Sequence, residues 1–481
     1  MTLSLPPDTG TTPCPDSMNT LDTLMWRCQD DPMLRAPLVI LMRLDRVPDW
    51  GRVKSDHAWA AQAIPRLRQR PTGPSLLGGR FGWEEDPEFD VGRHLRRLRL
   101  PAPGGRAELL ELVRHIAAAP FDDRRPLWDS TLVEGLTWDD DQEVGAWILR
   151  IHHCVADGRA IGYWLTRFLR RSRLSAPRRD EPKPPPARRH RHLSVLTEAT
   201  VNPASAHPAV EDLLSGRTLR RSALGLVRTA RKPLDITVET ARTLRAAGEL
   251  APLPVCEPSP LLRARGTERH LGMMSLPLDG LRAAAKTVGC APSDAYLAAL
   301  LGGMRIYHAE HGASAGDLPV AVPLSLPRPA GMSGGNRIAG IRFAAPLNQP
   351  DPRKRMTAVR DRAARARDVF VPAGLDLVLA LLNRLPTPQV TQLVGRLGRG
   401  NDLQASQVPG MYHPGHLADA AVLDAHCFGP APGCAVMTIL LAHRNRGSLG
   451  VTLDAAAVTD PAGFMRALDE GFREVLATAS P

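Results

Sequence analysis

The stretch GAWILRIHHCVADG, residues 145–158, decides how this chain is interpreted. Residues 145–151 are mostly apolar and predict a buried β-strand, whereas the residues after Gly158 repeat apolar side chains at helical spacing. Two adjacent imidazoles, a carboxylate and a glycine therefore lie at a strand-to-helix junction. They supply a possible general base, an orienting carboxylate and a backbone able to turn sharply. We expect the chemistry of this protein at the HHxxxDG motif.

The two histidines of the motif point to opposite faces of the predicted strand. Alternation places His153 on the face of Ile151 and His152 on the face of Arg150. An imidazole with an ordinary pKa near 6.5 can take a proton from an alcohol as it attacks a carbonyl. We predict that His153 is this base and that His152 is a structural histidine. Asp157 could orient an imidazole, but we favour a role in capping the next helix and pairing with an arginine.

Length and composition set broad limits on the chain. Its 481 residues exceed the usual size of a single core, and 43% hydrophobic residues suffice to bury two or three domains. The net charge of +11 lies largely in residues 167–191, and the 4% aromatic content lacks the stacking platforms of single-strand binders. A solvated basic surface is therefore favoured over a nucleic-acid site.

Targeting signals and cysteine pattern indicate the compartment. Neither a secretory leader nor an apolar run long enough to span a bilayer is recognisable. Seven scattered cysteines without a CxxC pair favour reduced thiols, and adjacent strand residues such as His152 and His153 cannot readily chelate one metal ion. We expect a cytoplasmic protein without a metal site.

Hydrophobic periodicity predicts elements on both sides of the motif. The predicted segments are a strand at 37–44, helices at 56–70 and 106–119, a hairpin of 129–136 with 144–151 across the turn at 139–141, a helix at 159–171, a helix at 294–308 capped by Ser293, a strand at 449–454 and a helix at 461–476. Proline-rich residues after Ser175 indicate an exposed linker. We predict a lobe at 15–175, a linker and crossover at 176–265, and a second lobe at 266–478.

Several common catalytic motifs are missing from the sequence. The string GxSxG occurs at 312–316 and 331–335, but neither match lies at a predicted strand-to-helix elbow, and there is no GxxxxGK[ST] loop and no strong GxGxxG fingerprint. A base without a covalent nucleophile suggests direct transfer, in which the histidine activates an acceptor hydroxyl against an activated acyl group.

Further motifs carry a family resemblance. They are PLW at 126–128, PEFDVGRHLRRLRLPAPGGRAELLELV at 87–113, VPLSLPRP at 322–329, GGNRIAGIRFAAPL at 334–347 and SQVPG at 406–410. In order and spacing, over residues 18–476, the chain resembles the bacterial wax ester synthase and acyl-CoA:diacylglycerol acyltransferase (WS/DGAT) family. HHxxxDG alone would also fit peptide-synthetase condensation domains.

The resemblance implies a fold and a reaction. The fold would be the α/β, two-lobed fold with mixed sheets of chloramphenicol acetyltransferase, with the active-site channel between the lobes. The reaction would move a fatty acyl group from acyl-CoA to a long-chain alcohol or diacylglycerol, giving wax esters or triacylglycerols. His153 would be the base, and His152 and Asp157 would shape the site. Acyl-CoA would be a substrate, so no cofactor is expected.

Other positions of the family motifs are expected to have structural or motif roles. They are Gly158, Pro126, Leu127, Trp128, Asn336, Arg337, Ser406, Gln407, Pro409 and Gly410. The expected partners are acyl-CoA and a lipid alcohol or diacylglycerol, with peripheral contact at the inner membrane face or lipid bodies and no nucleic acid.

The chain departs from the family pattern at several positions. Gln407 and Met411 stand where the family usually has Asn and Pro, Ser293 and Asp294 replace an Asn-Asp pair, and 436–438 reads VMT instead of NIT. Glutamine is longer than asparagine by one methylene, so a tight polar contact there would shift.

Two alternative functions stay open on sequence grounds. One keeps the fold but takes the acyl group from a carrier-protein thioester, as in condensation reactions. The other is a lipid-binding protein that has lost catalysis.

Overall fold

The computed structural model describes residues 17–73, 81–138, 142–175, 255–314, 316–326, 335–369, 379–408, 410, 415–443 and 445–479. Most of the predicted linker and crossover at 176–265 lies outside these residues, as do the turn at 139–141, Pro409 and Met411.

The described residues form strands and helices in both halves of the chain. The strands are β1 (Pro37–Leu44), β2 (Gln69–Thr72), β3 (Gly82–Glu85), β4 (Leu95–Arg99), β5 (Trp128–Trp138), β6 (Gln142–His152), β7 (Arg269–Pro277), β8 (Asp317–Ser325), β9 (Ile338–Pro346), β10 (Leu403–Val408), β11 (His416–Leu417), β12 (Ala420–Phe428), β13 (Val436–His443) and β14 (Arg446–Asp454). The α-helices are α1 (Thr20–Arg27), α2 (Trp50–Ala63), α3 (Arg106–Ala118), α4 (Gly158–Ser175), α5 (Leu278–Thr287), α6 (Pro292–Glu310), α7 (Pro352–Val369), α8 (Thr387–Arg399) and α9 (Pro461–Ala477).

Two six-stranded sheets organise these elements. The first has the order β11-β12-β1-β6-β5-β4 and the second the order β7-β14-β13-β10-β8-β9, and β2 pairs with β3 separately. In the first sheet β1 lies between β6 and β12, and both pairings are antiparallel. Residues 416–428, from the C-terminal half of the chain, therefore complete the sheet that carries HHxxxDG.

Strand β1 is buried on both faces. Leu38, Ile40 and Met42 pack in the cluster that contains α2 and α4, whereas Val39 and Leu41 pack in the cluster that contains α3. This double burial explains its continuous apolar sequence, because neither face needs polar side chains.

Strand β13 joins the two halves of the molecule. Its even-numbered residues, including Val436 and Leu440, belong to the core beneath α6 and α9. Its odd-numbered residues Met437, Ile439 and Leu441 belong to the cluster of the first sheet. The two faces of one strand thus place the second sheet against the first.

Most predicted elements near the motif are confirmed. The strand at 37–44, the helix beginning at Arg106, the hairpin of β5 with β6 and the helix beginning at Pro461 all occur within a few residues of their predicted bounds.

The predicted helix at 56–70 is wrong in its bounds. Helix α2 starts earlier, at Trp50, because the Asp49 side chain accepts a hydrogen bond from Arg52 N at 2.8 Å. It ends at Ala63, because the residue before Pro65 is disfavoured in the helical conformation. The remaining predicted residues form a short 3₁₀ turn and strand β2.

The predicted cap of the long helix in the second lobe is also displaced. Helix α6 has Ala291 at its N-cap rather than Ser293, and Pro292 takes the first helical position. Proline suits that position, where a helix needs no N–H and a fixed φ is favourable. The Asp294 carboxylate still stabilises the start, because it accepts from Ala291 N at 2.8 Å.

Among the residues that the structure describes, no helix is long and apolar enough to cross a membrane.

Candidate active site

The histidine motif joins the end of β6 to the start of α4. Backbone bonds hold both histidines: His152 N donates to Leu127 O at 2.9 Å, and His153 N donates to Ala36 O at 2.8 Å. The Leu127 carbonyl comes from the PLW motif, and Ala36 directly precedes β1. The neighbouring strands thus fix where each imidazole begins.

His152 lies in a closed aromatic pocket. It is 1% exposed, and its ring meets Trp26 and Phe121 edge to face, with centroid distances of 5.8 and 5.7 Å. Nδ1 accepts from Cys154 N at 3.2 Å and lies 2.9 Å from Cys154 Sγ. Burial lowers the pKa of His152 to about 3, and the nearby His153 and Arg150 act in the same direction. This imidazole is therefore neutral and faces protein on its sides.

His153 lies beside a cavity and contacts a residue of the second half of the chain. Its Nδ1 is 2.9 Å from Asn336 Oδ1. The Asn336 amide nitrogen donates to His153 O at 2.5 Å, which directs the amide oxygen towards the imidazole. An amide oxygen only accepts, so Nδ1 carries the proton and Nε2 keeps its lone pair. Since His153 lines the cavity, Nε2 is the nitrogen available to a bound substrate.

Electrostatics keep this imidazole ready to accept a proton. Burial lowers the pKa of His153 below its ordinary value, while the Asp157 charge and the bond to Asn336 act in the opposite direction. A lowered imidazole pKa means that the neutral, basic form prevails at neutral pH.

Asp157 and Gly158 form the start of α4. Asp157 is 2% exposed; one carboxylate oxygen accepts from Ala160 N at 2.9 Å and the other from Arg337 N at 3.5 Å. It thus satisfies amides of α4 and of the GNR segment. Gly158 is not among the residues with positive φ, so the turn from β6 into α4 does not depend on a left-handed glycine at this position. An added Cβ would lie 3.5 Å from the methyl groups of Val408, so glycine here chiefly leaves room in the cavity.

The PLW motif lies behind the histidines. Pro126, Leu127 and Trp128 are buried. The Trp128 indole stacks on His94 with a centroid distance of 4.6 Å, and its Nε1 donates to Leu67 O at 2.8 Å. These contacts fix the position of the start of β5, and with it the Leu127 carbonyl that accepts the hydrogen bond from His152 N.

The SQVPG segment reaches the opposite wall of the cavity. Ser406, Gln407 and Gly410 all line it, whereas Pro409 lies outside the described residues. A Cβ on Gly410 would come within 1.5 Å of Ala442 O, so only glycine fits. Gln407 Oε1 is buried without a protein partner in the described part of the chain.

At 436–438 the chain has VMT in place of the usual NIT, and the shared threonine, Thr438, makes a polar contact near this wall. The Thr438 hydroxyl is 2.8 Å from Tyr296 OH, and the Tyr296 hydroxyl donates to Ser406 O at 3.3 Å. These contacts connect β13, α6 and β10 behind the cavity.

The cavity has a volume of about 290 Å³ and is mainly apolar. Alternate residues of β1 and β13 supply two of its walls, and helices α1 and α4 supply others. The apolar lining includes Leu21, Leu24, Met25, Leu38, Ile40, Met42, Ile161, Leu165, Met437, Ile439 and Leu441. From Leu38 to Met42 the β1 wall extends roughly 13 Å. The site can thus present one base to a substrate whose remaining atoms are hydrocarbon.

Two family models match this chain in succession. The wax ester synthase/diacylglycerol acyltransferase catalytic domain matches residues 18–296, and the WS/DGAT C-terminal domain matches residues 334–475. The chain belongs to the WS/DGAT family. The resemblance suggested by the sequence motifs is therefore confirmed, and this WS/DGAT protein is a member of an acyltransferase family.

Relatives of this WS/DGAT protein are found in Mycobacterium tuberculosis. One, provisionally named a diacylglycerol O-acyltransferase, is 33% identical over 468 residues, covering 96% of this chain and 92% of the relative. Another of the same general name, tgs1, is 26% identical over 428 residues, covering 86% of this chain and 84% of the relative.

Solved structures confirm the predicted fold. The wax ester synthase/diacylglycerol acyltransferase from Marinobacter aquaeolei VT8 superimposes with a TM-score of 0.62 at 16% identity, covering 97% of this chain and 100% of that one. The first condensation domain of the calcium-dependent antibiotic synthetase gives 0.57 at 15% identity, with 98% of each chain covered. The WS/DGAT protein thus has the mixed α/β, two-lobed fold of the chloramphenicol acetyltransferase type.

Sequence reasoning placed Asn336 in a turn motif and did not connect it to His153. The two residues are 183 positions apart, so no local pattern could join them. The GNR motif identified Asn336 as a position of interest, but its contact with His153 could be seen only in the folded structure.

Proposed function

We propose that this WS/DGAT protein is an O-acyltransferase that moves a fatty acyl group from acyl-CoA to a long-chain alcohol or diacylglycerol. The single observation that supports this most is the bond between His153 Nδ1 and Asn336 Oδ1, which leaves a basic Nε2 beside an apolar cavity. A base in that position suits a hydroxyl carried on a hydrocarbon chain.

The chemistry follows direct transfer in a ternary complex. His153 Nε2 takes the proton of the acceptor hydroxyl while the oxygen forms a bond to the thioester carbonyl carbon. The C–S bond then breaks, and the leaving CoA thiolate takes the proton from Nε2. The products are an ester and free CoA, and His153 returns to its neutral form.

The lining of the cavity supports lipid substrates. Burial of apolar surface contributes about 25 cal/mol per Å². An acyl or alkyl chain against Ile40, Met42 and Ile439 would gain this stabilisation, whereas a polar acceptor would lose hydration. We place the reaction in the cytoplasm, at the inner membrane face or a lipid body, where such substrates accumulate.

The proposal is tested with the purified full-length chain, palmitoyl-CoA and either hexadecanol or dioleoylglycerol. We expect thiol release with matching wax ester or triacylglycerol in the mass spectrum, and loss of both in His153→Ala. The control is His115→Ala, an exposed histidine of α3 whose removal should leave turnover unchanged.

Other outcomes would contradict the proposal. Turnover only with a carrier-protein thioester would indicate condensation chemistry. Binding of lipid vesicles by wild type and His153→Ala alike, without product from any acceptor, would indicate a lipid-binding protein.

A further inference from the structure

The hydrogen bonds of Asn336 continue beyond His153 to helix α1. The two hydrogens of its side-chain amide are both used: one is donated to His153 O at 2.5 Å and the other to Asp22 Oδ1 at 2.6 Å. The backbone N of Asn336 also faces the Asp22 carboxylate, at 3.2 and 3.3 Å. Asn19 closes the network, because its Nδ2 donates to Asn336 O at 2.9 Å and its Oδ1 accepts from Asp22 N at 2.8 Å.

This arrangement allows one orientation of the Asn336 amide. If the amide turned over, its oxygen would face the Asp22 carboxylate and the His153 carbonyl, both of which are acceptors. Its nitrogen would then face His153 Nδ1 and force the proton onto Nε2. An imidazole protonated on Nε2 cannot accept the proton of a substrate hydroxyl in the cavity.

We propose that Asp22 is a positioning residue of the acyl transfer: by fixing the Asn336 amide, it keeps the proton of His153 on Nδ1 and the Nε2 lone pair towards the substrate. The inference rests on the proposed function, because it concerns the same base. Asp22 acts through Asn336 and has no direct contact with the reacting atoms.

The charge of Asp22 gives the network a pH dependence. Burial raises the pKa of Asp22 to about 7, while the hydrogen bonds from Asn336 and the charge of Arg66 act downwards and the charge of Asp157 acts upwards. A protonated Asp22 could donate to a turned amide oxygen, so the preference for the active orientation weakens below this pKa. Because burial lowers the pKa of His153, its ring is already neutral at the pH where Asp22 titrates. The fall of kcat/KM on the acid side is therefore expected to follow the protonation of Asp22.

Kinetics test the role of the amide and the carboxylate. We expect Asn336→Ala to lower kcat by about a hundredfold to ten-thousandfold with little change in KM, as expected for a misplaced imidazole proton. Asp22→Asn offers the amide both an acceptor and a donor, as protonated Asp22 does, and it no longer titrates. Above pH 7 its kcat/KM should therefore stay below that of wild type, and it should lose the acid limb near pH 7 and fall only at the lower pKa of His153. Unchanged kcat in Asn336→Ala, or an unmoved limb in Asp22→Asn, would overturn the proposal.

An exchange of the two side chains covers the case that Asn336→Ala does not fold. Asn336→Asp places two carboxylates together, and the double variant D22N/N336D restores one donor and one acceptor between the same positions. We expect the double variant to recover activity relative to Asn336→Asp alone; equal activity of the two would count against the pairing.

A readout without substrate separates this proposal from the proposed function. Nitrogen-15 NMR of histidine-labelled protein, with His153→Gln used for assignment, should find His153 protonated on Nδ1 in wild type and on Nε2 in part of the Asn336→Ala molecules. A wild-type ring protonated on Nε2 would overturn the inference. The observed Nδ1 proton in a protein that transfers no acyl group would overturn the proposed function alone.

The matched control is Asp402→Asn. Asp402 is fully buried, burial raises its pKa to about 6, and it binds Ser259 N and Arg265 rather than the Asn336 network. Its substitution should leave both the acid limb and the His153 proton unchanged. A shift of either in this variant would mean that any lost buried carboxylate produces the effect, and would overturn the specific role of Asp22.

Discussion

His152 and His153 are neighbours in the chain but lie in opposite surroundings. His152 is enclosed by Trp26, Phe121 and Cys154, whereas His153 has an amide on one nitrogen and a cavity on the other. Burial lowers the pKa of both rings, to about 3 for His152. Burial alone therefore does not distinguish a catalytic histidine. The difference is whether a lone pair has access to a substrate.

Replacing each histidine by alanine should give opposite phenotypes, and this is the largest expected effect. His153→Ala should lower kcat by at least about a thousandfold because the base is removed, with an unchanged unfolding midpoint. His152→Ala should lower the free energy of unfolding by about 2–5 kcal/mol because it leaves a cavity in the aromatic pocket, with a smaller loss of kcat.

Urea unfolding followed by circular dichroism, together with steady-state rates, checks this pair of variants. A folded His152→Ala protein as inactive as His153→Ala would erase the distinction between the two rings.

The cavity beside His153 can be narrowed by a substitution at Gly162. This glycine lines the cavity one helical turn beyond Gly158, so Gly162→Leu places a side chain where a lipid chain would lie. We expect kcat/KM for long acyl or alkyl chains to fall about 10- to 200-fold relative to short chains.

Competition between chain lengths within one reaction measures this ratio. Gly395→Leu is the control, because an added Cβ on this helical glycine would have no atom within 4 Å other than those of its chain neighbours and its own helix backbone. An equal loss of kcat/KM for short and long chains in Gly162→Leu would mean that the hydrocarbon chain binds away from Gly162.

The buried His152 should make the free energy of unfolding depend on pH, and this is the smallest of the expected effects. Folded His152 binds fewer protons than the unfolded residue between its ordinary pKa of 6.5 and its lowered pKa of about 3. Stability is therefore complete above pH 6.5 and is lost as the pH falls, by at most about 1.4 kcal/mol per pH unit for this group.

Denaturant titrations at pH 7.5, 6.5 and 5.5 measure this slope. His152→Asn keeps an acceptor for Cys154 N but does not titrate, so its slope should be shallower than that of wild type. Parallel slopes would assign the pH dependence to other buried groups, such as His57, whose pKa burial lowers to about 4.

Local patterns in the sequence predicted much of what surrounds the histidines. The apolar run of β1, the turn signal between β5 and β6, and the helical spacing after Gly158 each depend on residues close in sequence, and each element formed. Helix α2 was misplaced because Asp49 and Pro65, rather than apolar spacing, set its ends.

The candidate site could be predicted only in part. His153 follows from alternation along one strand, but its partner comes from a distant segment, and Asp22 belongs to no motif that sequence reasoning used. The pairing of β1 with β12 was equally out of reach, because it depends on tertiary contacts rather than on local preference.

That pairing has a consequence for biosynthesis. Val39 pairs with Phe428, and the roughly 390 residues between them take about 20–80 s to leave a ribosome working at about 5–20 residues per second. During this time the strand with the sequence VILM has an open, apolar edge, which is prone to pairing with other chains. We expect nascent chains of this protein to need protection by chaperones until their final quarter emerges, and slower, cooler expression to favour native protein over aggregate.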